Sequence, residues 1–203
     1  MENKPERKGL IARLEKDWIV ESEFAEIVNG TDAMDGLLDA LHDPNPARQA
    51  EAAGILVDKG AAAVGPLILE LRSGNQAVWM LAAAALVKIG FLAVAPLLNV
   101  LEFKRENEAV QMLVVEILGQ IGHKDAIKPL IATLESESSP LRTAAAVALV
   151  RIGSAVTAPL LRVLSETKSS TLRQYAIPIL KQIGEPEALN TLEAWQAIDD
   201  LLD

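Results

Sequence analysis

The chain predicts an all-α fold, a right-handed α-solenoid in which similar helix pairs stack into a superhelix, and three observations carry that prediction. Glycines 60, 90, 122, 153 and 184 are spaced 30, 32, 31 and 31 residues apart, and the last four each follow an isoleucine. Prolines 66, 96, 129 and 159 recur in step, each just before a leucine. Alanine (31) and leucine (30) dominate the 203 residues while only seven are aromatic, a composition that favours helices over strands. A fixed period of this size belongs to a stack of supersecondary units, not to one irregular globule.

The elements follow in order. Residues 1–31 read as a disordered tail followed by capping helices, with Leu10, Ile11, Leu14 and Trp18, then Phe24, Ile27 and Val28, as their apolar positions. Residues 32–184 form the repeat array, in units 32–60, 61–90, 91–122, 123–153 and 154–184, of which the first is degenerate. In the unit 123–153, Ile127, Leu130, Ile131 and Leu134 lie on one stripe of a first helix, and Ser-Ser-Pro140 breaks it. Leu141, Ala145, Leu149 and Ile152 then mark a second helix, which Gly153 ends in a left-handed conformation. The proline sits early in the first helix, where its missing N–H costs least. Residues 185–203 form a C-terminal capping helix with Leu189, Leu192, Trp195, Ile198 and Leu202 inward, because an end unit has no neighbour to cover its apolar face.

The residues resemble a particular repeat. Ala-Val-Ala-Pro-Leu-Leu (93–98), Ile-Leu-Gly-Gln-Ile-Gly (117–122) and Leu-Arg-Thr-Ala-Ala-Ala-Val-Ala-Leu (141–149) are similar to the HEAT-like repeat named after the phycobilisome lyases. That resemblance implies about five two-helix units of roughly 31 residues with helical end caps. It also implies one enzymatic alternative, attachment of a linear tetrapyrrole (bilin) to a carrier protein as a lyase or lyase subunit. Such repeats serve many proteins as interaction surfaces, so the activity does not travel with the scaffold.

Chemistry-bearing residues are sparse. There is no cysteine, and His42 and His123 have no partner at metal-ligand spacing. No phosphate loop, dinucleotide fingerprint or nucleophile elbow occurs. No cofactor, metal or catalytic residue is therefore expected, and a non-catalytic role is the favoured reading. The longest run without a charge, fifteen residues between Arg72 and Lys88, is too short for a membrane span, and nothing after Met1 resembles a signal peptide; the cytoplasm is the expected location.

Function is expected on the second helices. Counting back from each closing glycine, positions 12, 8, 5, 4 and 1 form the buried stripe, so positions 10, 6 and 3 face the concave side. The candidate partner-binding residues there are Met80, Ala84, Val87, Met112, Glu116, Thr143, Val147 and Val150, with Gln174 and the neighbouring Tyr175. Only a minority are polar, which a solvated face would not be. Three things could cover it: the chain itself, through tight curvature or an N-terminal segment folded back; a partner protein's peptide or helix taken into this apolar groove, which is the scaffold reading; or a homodimer sharing the same face. Trp79, Arg142 and Arg173 share a column bordering the core, and the two arginines are expected to tie neighbouring units together. Pro178 is expected to kink the last second helix.

Net charge is −9 but unevenly placed: −6 over residues 1–43, +3 over 44–184 and −6 over 185–203. Nucleic-acid or other anion binding is a further alternative, and the apolar groove argues against it more strongly than the total charge does.

Overall fold

The computed structural model describes residues 31–102 and 107–202. The expectations placed on residues 1–30 lie outside them. Eleven α-helices occupy the described residues: α1 (Thr31–Leu41), α2 (Pro46–Asp58), α3 (Ala61–Glu70), α4 (Gln76–Ile89), α5 (Phe91–Glu102), α6 (Glu108–Ile121), α7 (Ile127–Thr133), α8 (Ser139–Ile152), α9 (Thr157–Glu166), α10 (Ser170–Ile183) and α11 (Pro186–Leu202). Odd-numbered helices from α1 to α9 are the first helices of successive pairs and even-numbered ones from α2 to α10 the second. Each second helix packs on the next, and most first helices pack on their successors more loosely. Closer spacing among the second helices curves the α-solenoid so that they line its inner side.

The core is a ladder with one rung per unit. Leu37, Leu67, Leu97, Leu130 and Leu160 in the first helices and Leu56, Leu86, Leu118, Leu149 and Leu180 in the second are fully or almost fully buried. Between them Ala52, Ala82, Val114, Ala145 and Ala176 are also sealed, small enough for adjacent second helices to approach. Each buried leucine is worth about 1.5–3 kcal/mol relative to exposure. The isoleucines before the glycines are only half-buried, so that edge of the expected stripe is wetter than the periodicity implied.

A capping column the periodicity reading had not used sets the inner helices. Asn45, Asn75, Asn107, Ser138 and Ser169 cap α2, α4, α6, α8 and α10, each side-chain oxygen accepting a backbone N–H from the first turn. Asp43, Ser73, Ser136 and Thr167 in turn accept the backbone N–H of four of these caps.

The closing glycines all have positive φ, but they fall in two classes. Gly122 and Gly184 are left-handed, and one residue follows each before the next helical turn begins. Gly60, Gly90 and Gly153 pair φ of 56°, 72° and 82° with ψ of −126°, −132° and −144°. That region is nearly closed to other residues, and it lets the chain reverse straight into the following helical segment. Gly153 is therefore not left-handed in the strict sense expected. It also divides the apolar stretch Ser139–Glu166 into α8, a 3-10 turn and α9, so neither helix reaches the roughly 20 residues a membrane span needs.

The prolines correct another expectation. Pro129 and Pro159 lie in the first turn of α7 and α9, each preceded by a 3-10 turn, but Pro66 and Pro96 lie more than a turn inside α3 and α5. Pro178 is inside α10, which continues to Ile183.

Candidate functional site

The inner face is built from the exposed sides of α4, α6, α8 and α10. Of the expected contact residues, Met80 and Val147 are 53% and 56% exposed, Ala84, Glu116, Thr143 and Gln174 are also exposed, and Val87, Met112, Val150 and Tyr175 are half-buried. No described segment folds over them.

Spacing along this face is uneven, and Gly119 is the cause. The residue sits three places before Gly122, in a column that faces the groove elsewhere, yet it is buried. A Cβ there would lie 2.6 Å from the Ala148 Cβ and 2.7 Å from its Cα, so α6 and α8 meet almost backbone to backbone. They form the most intimate helix pair among the described elements. A cavity of about 720 Å³ spans α6, reaching from Trp79 of α4 to Ala144, Val147, Ala148 and Arg151 of α8.

Trp79, Val110, Met112, Leu113, Ala144 and Val147 make its apolar lining, the turn Leu71–Gly74 and Asn107 close one end, and Arg72, Glu116 and Arg151 supply charge. A smaller cavity of about 360 Å³ lies between α8 and α10, against Ala146, Val147, Val150, Gln174, Tyr175 and Pro178. Val147 borders both. The structure thus brings Met112, Glu116 and Val147 to the larger cavity and Val147, Val150, Gln174 and Tyr175 to the smaller. Met80, Ala84, Val87 and Thr143 line neither, although they share the face. Trp79 and Leu113 are wall residues outside the expected columns, since a single helical face per unit cannot show which side chains of neighbouring helices converge on one cavity.

The arginine column does something other than expected. Arg142 donates from Nη1 to the carbonyls of Ser136 (2.7 Å) and Glu137 (3.0 Å), and Arg173 donates to the carbonyl of Thr167 at 3.3 Å. Arg48 reaches Asp43 at 3.2 Å. Each arginine clamps the loop of its own unit, because that loop's carbonyls lie one turn back from the second helix's start. Arg142 adds one contact between units: its guanidinium lies 5.6 Å from the centroid of the Tyr175 ring. The Arg142 guanidinium, with the Ser139 and Thr143 hydroxyls, holds the Tyr175 hydroxyl below the usual phenol pKa.

The histidines are used locally. His42 Nε2 lies 2.9 Å from Glu70 Oε2 and ties α1 to α3, and His123 Nδ1 accepts the Asp125 backbone N–H at 3.3 Å.

The family model for HEAT repeats matches residues 94–177, within the all-α solenoid of helix pairs. No curated protein sequence matches the chain. Among solved structures it is similar to an engineered protein at 21% identity, covering 83% of this chain and 88% of that one with a TM-score of 0.41. A second engineered protein shares 22% identity over 83% and 89% of the two chains, with a TM-score of 0.38. The complex of CpcE and CpcF of phycocyanin lyase from a Nostoc species shares 19% identity over 74% and 99%, with a TM-score of 0.45.

Proposed function

We propose that this protein is a non-catalytic scaffold that binds an apolar helix or peptide of a partner protein on its inner face, centred on the cavity that spans α6 between Trp79 of α4 and Val147 of α8. The carrying observation is the juxtaposition of Trp79, Met112, Leu113 and Val147 around about 720 Å³ of open, largely apolar space. An aromatic wall with an adaptable methionine suits insertion of a partner's side chain, and the charges at Glu116 and Arg151 would set its register.

Binding of a linear tetrapyrrole is the second reading, supported by Arg72 and Arg151 in the lining of the same cavity. Glu116 opposes it, since its carboxylate shares the cavity with the place where the pigment's propionates would lie.

Val147→Glu and Met112→Glu test the proposal. Peptides selected from a displayed library on the immobilised wild-type protein should bind either variant at least tenfold more weakly, while the thermal melt of Val147→Glu, an exposed site, stays unchanged. Selected peptides that bind both variants like wild type would overturn the groove. A bilin-specific absorbance change on mixing with a linear tetrapyrrole, lost in Arg151→Glu, would replace it with the second reading.

A further inference from the structure

The two cavities of the inner face lie on either flank of α8. Ala144, Ala148 and Arg151 turn one flank to the larger cavity, Ala146 and Val150 turn the other to the smaller, and Val147 is common to both. Only a segment that crosses α8 fills both at once. The flanks of a helix with its side chains are about 10 Å apart, and a crossing helix covers that distance in about seven residues, with its side chains back on the same face. An extended chain covers it in about three residues, which leaves the two side chains on opposite faces.

Charge on this face is one-sided. Lys88 of α4, Arg151 of α8 and Lys181 of α10 are exposed in the last turns of their helices, and Gln120 holds the corresponding place in α6. None of the three cations has an ion pair or side-chain hydrogen bond among the described residues. No first helix from α1 to α9 has a base in its last turn, so the helix dipole, which favours cations at every C-terminus, does not by itself account for the row. Glu116 stands apart from it, level with Val147 in the count from the closing glycines, and takes a hydrogen bond from the Gln120 amide at 3.2 Å.

Building on the scaffold reading of the inner face, we propose that the partner is an acidic amphipathic helix of another protein that lies across the second helices. Two bulky apolar side chains about seven residues apart enter the two cavities. The residue midway between them is small, because it passes over Val147, which is 56% exposed. Asp or Glu side chains at the same spacing occupy the flank turned toward the closing glycines, opposite Arg151 and Lys181. Neighbouring helices pack about 8–10 Å apart, close to that spacing, so one acid falls to each unit. Glu116 closes the level of Val147 to acids, whereas Arg151 lies about 6 Å farther along α8, which fixes the flank that carries them.

A phage-displayed library of helical peptides about five turns long, selected on the immobilised full chain, tests the partner's chemistry. Selected sequences should converge on the apolar pair, the small residue and the acidic flank. A synthetic copy should bind more weakly as salt rises, and Arg151→Glu combined with Lys181→Glu should weaken it about tenfold with an unchanged melt. Replacing the copy's acids by lysine should restore affinity for that double variant, and a central proline should abolish binding by breaking the helix. Binding that is lost on Val147→Glu but ignores both the acids and the double variant overturns the acidic partner while the groove stands. A proline copy that binds undiminished overturns the helix. Copies that bind Val147→Glu like wild type overturn the groove itself, and this inference with it.

Discussion

At the scale of single residues, Tyr175 and Gly119 make opposite uses of a neighbour. Tyr175 is the only tyrosine in the chain, so its ionisation can be followed without overlap from another phenol. Arg142 and the Ser139 and Thr143 hydroxyls favour the phenolate, so the folded pKa lies below the unfolded value. By linkage, the stability this contributes is present above the unfolded pKa of about 10 and is lost as pH falls through the lower folded value. A titration at 295 nm should give a midpoint below that of the denatured chain, and Arg142→Gln should move it upward; an unmoved midpoint would detach Tyr175 from Arg142. Gly119 has the reverse problem, since any added atom meets Ala148. Gly119→Ala should destabilise by about 1–3 kcal/mol in a urea melt, because α6 and α8 must separate to admit it. Their separation should also reshape the cavity wall that Met112 and Val147 share, so selected peptides should bind this variant less well even below its unfolding transition.

At the scale of elements, what was legible was what repeats. The glycine and proline periods located the helix pairs, and the leucine ladder made the buried stripe a calculation instead of a guess. The caps were legible too, had the count from each glycine been carried back another three places beyond position 12, because an asparagine or serine stands fifteen residues before every closing glycine. Asn75→Ala should cost about 1 kcal/mol by losing the bond to the Ala77 N–H, read as a lowered melting temperature with little change at the inner face. The arginine clamps were misread for a physical reason. A column bordering the core can reach either the next unit or its own loop, and only the position of the loop carbonyls decides between them.

At the scale of the whole molecule, the limit of sequence reading was its assumption that all units are alike. A uniform period implies a uniform groove, but one glycine at position 119 lets two inner helices meet almost backbone to backbone, and Trp79 and Leu113 stand in the wall of the cavity that spans α6. Neither feature has a period, so neither shows in a self-comparison. The same unevenness governs stability. In a stack each unit contacts only its neighbours, so damage should stay local where coupling is weak and spread where it is strong. Leu149→Ala, in the ladder of α8, should cost about 2–5 kcal/mol in a urea melt. Hydrogen exchange should show the loss of protection shared by α6 and α8 before it reaches α3; uniform loss along the chain would mean that the Gly119 contact couples nothing in particular.

The constant distance from cap to closing glycine has a consequence for how such a chain can change. Fifteen residues separate the two in every unit, while the stretch from one glycine to the next cap varies, at 15, 17, 16 and 16 residues. All length variation is therefore confined to the first helices and the loops after them. Insertions can accumulate on the outer side without shifting any inner residue out of register, so the groove behaves as fixed type and the outer surface as open margin. A segment cut from cap to glycine should be exchangeable between units, and such exchange would alter what the inner face recognises without redrawing the stack.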